Sequence, residues 1–220
     1  QLEYYKEYRV KLEEVAGKSK AAAILTGAMY LLGTGNADFL QSYYINSSFQ
    51  KRYARGEFSS LLTRRFANFV KDLHGLGARR IGVTSLPPLG CFPAPINLYG
   101  HGSAACVPRI NADARAFNQQ LNATANKLSR ELPGLTLVVF DIYNPLMELF
   151  NSPSKHGFVE ARKGCCQTGT SRASVLCKRS LVGVCSNADK YVFWDGVHPS
   201  QAANLVIAQS VMLQGIALLP

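Results

Sequence analysis

The sequence predicts an α/β fold, three layers deep (α/β/α), with a mostly parallel sheet covered by helices on both faces. Three observations carry this. Strand-like runs alternate with amphipathic helical runs along the whole chain, the pattern of a parallel sheet built from crossover units. Leu135–Phe140 is the most strand-like of them, apolar on both faces as a buried parallel strand is. Near the C-terminus, Tyr191-Val-Phe-Trp-Asp195-Gly-Val-His198-Pro199 reads as strand, turn and helix entry in succession.

Residues 2–16 read as a helix with Leu2, Tyr5, Tyr8, Leu12 and Val15 on one face. Helical character continues over Lys20–Thr26, and Met29–Leu32 reads as a buried strand. It runs into Gly33-Thr-Gly35-Asn36-Ala37-Asp38, a glycine loop at the end of a strand, where open α/β sheets place their chemistry. A loop with Tyr43, Tyr44 and Phe49 follows, and Ser59 or Ser60 is expected to cap a helix whose stripe is Leu62, Phe66, Phe69, Val70 and Leu73. Gly75-Leu-Gly77 ends that helix, and Arg80–Ser85 is the next strand. Pro87-Pro88-Leu-Gly-Cys91 fits neither a helix interior nor a central strand. From Pro108 a long helix carries Ile110, Ala114, Phe117, Leu121, Leu128 and Leu132 on one stripe and stops at Pro133-Gly134. After the Leu135–Phe140 strand, residues 151–189 read as a loop rich in cysteine, glycine and serine. The last helix is expected to start at Pro199 and to bury Ala203, Val206, Ile207 and Val211. No repeat or linker divides the chain, so residues 1–220 read as a single domain.

Composition narrows the function. With 47% hydrophobic and 17% charged residues over 220 positions, the chain is globular rather than disordered. The most apolar segment, Ala202–Leu219, is interrupted by Asn204, Gln209 and Gln214, so no integral membrane segment is expected. The first eight residues form a charged helical pattern rather than a signal peptide. The net charge of +10 comes from scattered pairs: Lys51-Arg52, Arg64-Arg65, Arg79-Arg80, Arg162-Lys163 and Lys178-Arg179. A nucleic-acid face would gather such charge on one side, so nucleic acid is not an expected partner, whereas attraction to an anionic matrix is.

Six cysteines, Cys91, Cys106, Cys165, Cys166, Cys177 and Cys185, cluster in loop-like sequence. An even count in such places points to disulfides and an oxidising compartment. A Cys91–Cys106 bridge is suggested by their proximity in the chain, while the pairing of the other four stays open. A zinc site through those four ranks lower, because adjacent cysteines make poor ligands beside a C-x-x-C pair.

The chemistry-bearing pattern is Asp195-Gly-Val-His198. Pro199 biases His198 away from helical backbone, so the imidazole is held off the helix with a carboxylate three residues upstream. In that geometry Asp195 can reach the ring nitrogen that His198 does not use, giving the base and the orienting acid of a nucleophilic hydrolase.

With these pieces assembled, the chain resembles the plant GDSL-type esterase/lipases of the SGNH hydrolase superfamily. Four stretches carry the resemblance: Gln1-Leu-Glu-Tyr-Tyr-Lys-Glu-Tyr; Leu31-Leu-Gly-Thr-Gly-Asn-Ala-Asp-Phe; Gly77-Ala-Arg-Arg-Ile-Gly-Val-Thr-Ser-Leu-Pro-Pro-Leu-Gly-Cys91; and Gly164-Cys-Cys through to Asp195-Gly-Val-His198-Pro199. The resemblance implies a flavodoxin-like sheet, His198 as general base, Asp195 as its orienting acid, and hydrolysis of a carboxylic ester or lipid through an acyl-enzyme without metal or organic cofactor. It also implies an oxyanion hole to which Gly35 and Asn36 would contribute, and a secreted, extracellular protein with a signal peptide upstream of this chain.

Two departures accompany it. The family's nucleophile lies in a Gly-Asp-Ser-Leu motif, and this chain contains neither Gly-Asp-Ser nor G-x-S-x-G. The fold is therefore expected to be N-terminally incomplete, lacking the first strand and the nucleophile. Aligned on Gly35 and Asp38, the family's oxyanion Asn position holds Ala37, with Asn36 one place early. Either Asn36 substitutes by a local shift or the hole is weakened, and loss of one such donor costs about 10²–10³ in turnover. The alternative is a catalytically inactive relative that binds an acyl or glycan ligand.

Overall fold

A computed structural model of the chain describes residues 1–45, 48–166, 177 and 183–219. Helix α1 (Leu2–Ala16) and helix α2 (Lys18–Gly27) lead into strand β1 (Met29–Leu32). Helix α3 (Arg55–Gly75) precedes β2 (Arg80–Thr84). Short helix α4 (Pro93–Tyr99) and long helix α5 (Pro108–Glu131) precede β3 (Thr136–Phe140). Helix α6 (Tyr143–Asn151), β4 (Glu160–Gly164), β5 (Tyr191–Phe193) and α7 (Gln201–Gln214) complete the chain.

The first three strands form one parallel sheet in the order β1-β2-β3, in register at Tyr30, Ile81 and Leu137. Alternation along β2 sorts its two faces. Ile81 and Val83 point into the main core with Phe66 and Val70 of α3 and Phe117 and Leu121 of α5. Gly82 faces the opposite way, where a Cβ would lie 2.2 Å from the Phe140 ring and 3.1 Å from Leu218. Helices therefore cover both faces at β2, α3 and α5 on one and the end of α7 with the turn after it on the other, while β1 stays largely uncovered.

The α5 stripe holds at Ile110, Ala114, Phe117, Leu121 and Leu128, all buried, whereas Leu132 falls at the cap just past the helix and is half-buried. Five features differ from the sequence reading. The segment with Tyr43 and Tyr44 is a widened, π-type helix over Asp38–Ile45 rather than a loop. Its aromatic rings are core, with Phe39 against Phe58 and Phe117 at 5.3 and 5.5 Å. Helix α3 starts at Arg55, where Glu57 accepts from the Ala54 amide at 2.8 Å, leaving Ser59 buried mid-helix. Residues Pro93–Tyr99 are helical, with Pro93 at the first turn, the one helical position that needs no N–H.

The fourth difference concerns β5, which does not extend the main sheet. It pairs in parallel with β4 in a separate two-stranded sheet, Glu160 opposite Tyr191 and Gly164 opposite Phe193. The sequence hides β4 because Glu160, Arg162 and Lys163 break any apolar alternation. Fifth, the predicted burial is too generous. No residue of β1 is buried, contrary to the buried strand expected over Met29–Leu32; only Phe140 is buried on β3, and only Ala203 on α7. Residues Gln201–Leu218 are long and apolar enough to cross a membrane by length and composition alone, contrary to expectation. They are nonetheless docked on the domain: Gln214 donates to and accepts from the Asp141 backbone, and Ala203 is fully buried.

Buried phenols are tied down by polar partners. Tyr44 donates to Asp113, which also pairs with Arg55 at 3.5 Å, and Tyr99 donates to the Tyr44 carbonyl. Burial, reinforced by the Asp113 hydrogen bond, pushes the Tyr44 phenol well above the ordinary tyrosine range. Tyr43, Tyr44 and Phe49, expected as loop aromatics, are thus engaged in packing.

Candidate active site

Strand β5 delivers the chain to a tight turn. The Trp194 amide donates to the His198 carbonyl at 2.8 Å, Phe193 bridges to Pro199, and the Ser200 amide returns to the Val192 carbonyl at 2.8 Å. Pro199 therefore lies on this return and does not open the helix, as the sequence had suggested. Helix α7 begins two residues later, capped by Ser200, whose hydroxyl accepts from the Ala203 amide at 3.1 Å.

Within the turn, Asp195 Oδ1 accepts from the amides of Val197 and His198, both at 2.9 Å. This is the local side-chain-to-backbone bonding that makes Asp a turn residue. His198 Nδ1 lies 3.0 Å from Oδ1 and 2.9 Å from Oδ2. A fourth donor arrives from elsewhere in the chain: the Cys177 amide, 3.3 Å from Oδ2. A carboxylate offers about four lone-pair positions, and all four donors are supplied here. They matter because the Asp195 side chain is only 4% exposed, and a buried charge without partners is costly.

The His198 side chain, by contrast, is 62% exposed. A neutral ring that donates from Nδ1 to Asp195 has its acceptor lone pair on Nε2. Among the described residues Nε2 has no hydrogen-bond partner.

The turn is backed by β4 at close range. The Cys165 and Cys166 amides donate to the Phe193 and Trp194 carbonyls at 3.0 and 2.7 Å. At Gly164 a Cβ would meet the Asp195 Cα at 2.7 Å and its carbonyl carbon at 2.9 Å. These are backbone atoms, which no side-chain rotation can move aside. Gly164→Ala is expected to cost about 2–3 kcal/mol of stability, the upper range for overpacking. An unchanged chemical-denaturation midpoint for that variant would show that the strand has room to spare.

All six cysteines are paired, as Cys91–Cys106, Cys165–Cys185 and Cys166–Cys177. None remains as the thiolate a zinc site would need.

Gly35 is buried with φ +91°, a left-handed conformation that suits glycine, and a Cβ there would come 2.9 Å from Leu86. Its carbonyl accepts from the Phe39 amide at 2.8 Å, so Asn36 and Ala37 form the first turn of the following helix, both exposed. The Asn36 side chain makes no hydrogen bond among the described residues, and none joins it to Asp195 or His198. The two groups are instead related through the segment after β2. Leu86 packs on Gly35, while a few residues on Phe92 packs on Phe193 at 5.2 Å and the Ala94 amide donates to the Gly196 carbonyl at 2.9 Å.

Gly164, the Cys177 amide and the Ala94 contact escape sequence reading, because all three reach the turn from distant positions. The adjacent pair Cys165-Cys166 was the one available sign that this segment is anchored.

Fold and turn together place the chain among α/β proteins that present an acid-oriented histidine beyond a short strand. Over residues 1–211 it matches the family described as GDSL-like Lipase/Acylhydrolase, and it belongs to that family. It is 54% identical over 220 residues to GDSL esterase/lipase At5g03810 of Arabidopsis thaliana. It is 50% identical over 220 residues to GDSL esterase/lipase APG of the same plant. Each alignment covers 100% of this chain and 62% of the relative, so the chain spans less than two thirds of the length of these relatives.

Proposed function

We propose that the chain is the base-bearing part of an ester hydrolase, with His198 as general base and Asp195 as its orienting acid. The observation that carries this is the pair of Nδ1–carboxylate distances, 2.9 and 3.0 Å, on a largely exposed imidazole. In the reaction Nε2 takes the proton of a serine hydroxyl as its oxygen attacks the ester carbonyl, and returns it to the departing alcohol. Water then repeats the cycle on the acyl-enzyme. Asp195 stabilises the imidazolium formed at each step. This acyl transfer needs no metal or organic cofactor.

No Gly-Asp-Ser occurs among these 220 residues, so the nucleophile is assigned to a segment of a longer protein. Gly35 and Asn36 are assigned to the oxyanion hole, weakened by Ala37. The substrate is a small carboxylic ester or lipid. Three disulfides suit an extracellular setting, and the +10 charge suits retention by an anionic cell-wall matrix.

The test uses two proteins. The purified 220-residue chain is expected to leave p-nitrophenyl butyrate intact. A longer protein that adds a Gly-Asp-Ser segment is expected to hydrolyse it and to take a fluorophosphonate label, with both lost in His198→Ala. Hydrolysis by the short chain that disappears in His198→Ala would overturn the assignment of the nucleophile. A longer protein that neither turns over nor labels would favour the second reading, an inactive relative binding an acyl or glycan ligand, which Ala37 at the oxyanion position supports.

A further inference from the structure

Three of the four donors to Asp195 come from the turn itself, and any Asp-x-x-His turn of this shape would supply them. The fourth does not. Cys177 stands 18 positions before Asp195 and reaches it by way of Cys166. Cys166 in turn is fixed beside the site, its amide bonded to the Trp194 carbonyl, one residue before Asp195. Covalent bond and hydrogen bonds therefore close a ring: Trp194 carbonyl to Cys166 amide, Cys166 to Cys177 through sulfur, Cys177 amide to Asp195 Oδ2.

The division of donors between the two carboxylate oxygens gives this ring a purpose. The Val197 and His198 amides both hold Oδ1. Among the described residues, the Cys177 amide is the one donor to Oδ2 apart from the imidazole. Without it, one oxygen of a buried carboxylate keeps the ring as its sole partner, and rotation of the carboxylate towards solvent becomes favourable. The ring would then keep only Oδ1, 3.0 Å away and already shared with two turn amides, as acceptor for its Nδ1 proton, which weakens the preference for that tautomer. The neighbouring bridge, Cys165–Cys185, is anchored on the same strand, yet its Cys185 amide donates to the Cys165 carbonyl, and among the described residues neither of its cysteines bonds to Asp195.

We propose that the Cys166–Cys177 disulfide makes Cys177 a positioning residue, whose amide locks the Asp195 carboxylate and thereby the Nδ1–H tautomer of His198. The proposal rests on the reading of His198 as a base, but its test reads no turnover and so fails or stands separately from ester hydrolysis.

The experiment is ¹⁵N spectroscopy of the histidine rings in the longer protein, with His198 assigned by its absence in His198→Ala. The native neutral ring is expected to carry its proton on Nδ1 alone. Cys166→Ala with Cys177→Ala is expected to give a mixture of tautomers, while Cys165→Ala with Cys185→Ala keeps the single form. A single Nδ1–H form in the first variant, or the same mixture in both, would overturn the proposal. If the first double variant does not fold, hydrogen exchange decides. The Cys177 amide of the native protein should exchange at least about tenfold more slowly than in Asp195→Ala, the worth of one bond to a charged group. Equal rates would sink the idea.

Discussion

Asp195→Asn is expected to lower kcat of the longer, nucleophile-bearing protein by about 10⁴ while leaving KM within a few-fold. The side chain keeps its size, so the effect is one of donors and acceptors. Asp195 presents two acceptors to the Val197, His198 and Cys177 amides and to Nδ1. Asparagine presents one acceptor and one donor. If its oxygen stays with the Val197 and His198 amides, its NH₂ group faces both the Cys177 N–H and Nδ1. The ring must then either share the oxygen 3.0 Å away with the two turn amides or move its proton to Nε2, which removes the lone pair that must accept the hydroxyl proton. If the amide flips, the two turn amides lose their acceptor instead. Steady-state kinetics on the purified variant provide the check. A fall below tenfold, or one confined to KM, would mean that Asp195 serves the turn and not the chemistry.

That argument shows how unevenly the site is written in the sequence. Asp195 and His198 are legible because their relation is local: an Asp, a Gly and a His-Pro within five positions define a turn by backbone preference alone. Pro199 was read as a helix opener by the same local logic. It lies instead on the return of the turn because the bridge to Phe193 outweighs its preference for a first helical turn. Strand β4 and the Cys177 amide were illegible for a different reason. Their roles depend on backbone groups, which every residue has, so side-chain identity carries no signal of them. The fold divides along the same line. The α5 stripe was clear because six apolar positions repeat on one face, whereas apolar composition on β3 and α7 said nothing about how much of it is covered. Leu137 and Val139 are only half-buried, and Leu205 and Met212 are exposed.

Those uncovered faces make the second large effect a physical one: residues 1–220 produced on their own are expected to self-associate. Parallel strands ordinarily lie inside a sheet with both faces covered. Among the described residues β1 is paired on one edge only, and Leu31 on it is 67% exposed. An unpaired edge with exposed apolar side chains is a template for another chain. Helix α7 adds Met212 and Leu213, each more than 70% exposed. Covering one such side chain is worth roughly 1.5–3 kcal/mol, so two or three contacts suffice to hold copies together at working concentrations. Light scattering should therefore report a mass above that of one chain, falling to the single-chain value in Leu31→Lys with Met212→Lys. The same substitutions should destabilise the longer protein, where the added segment is proposed to cover these faces. A native 220-residue chain that stays monomeric on concentration would show that β1 and α7 tolerate water as they are.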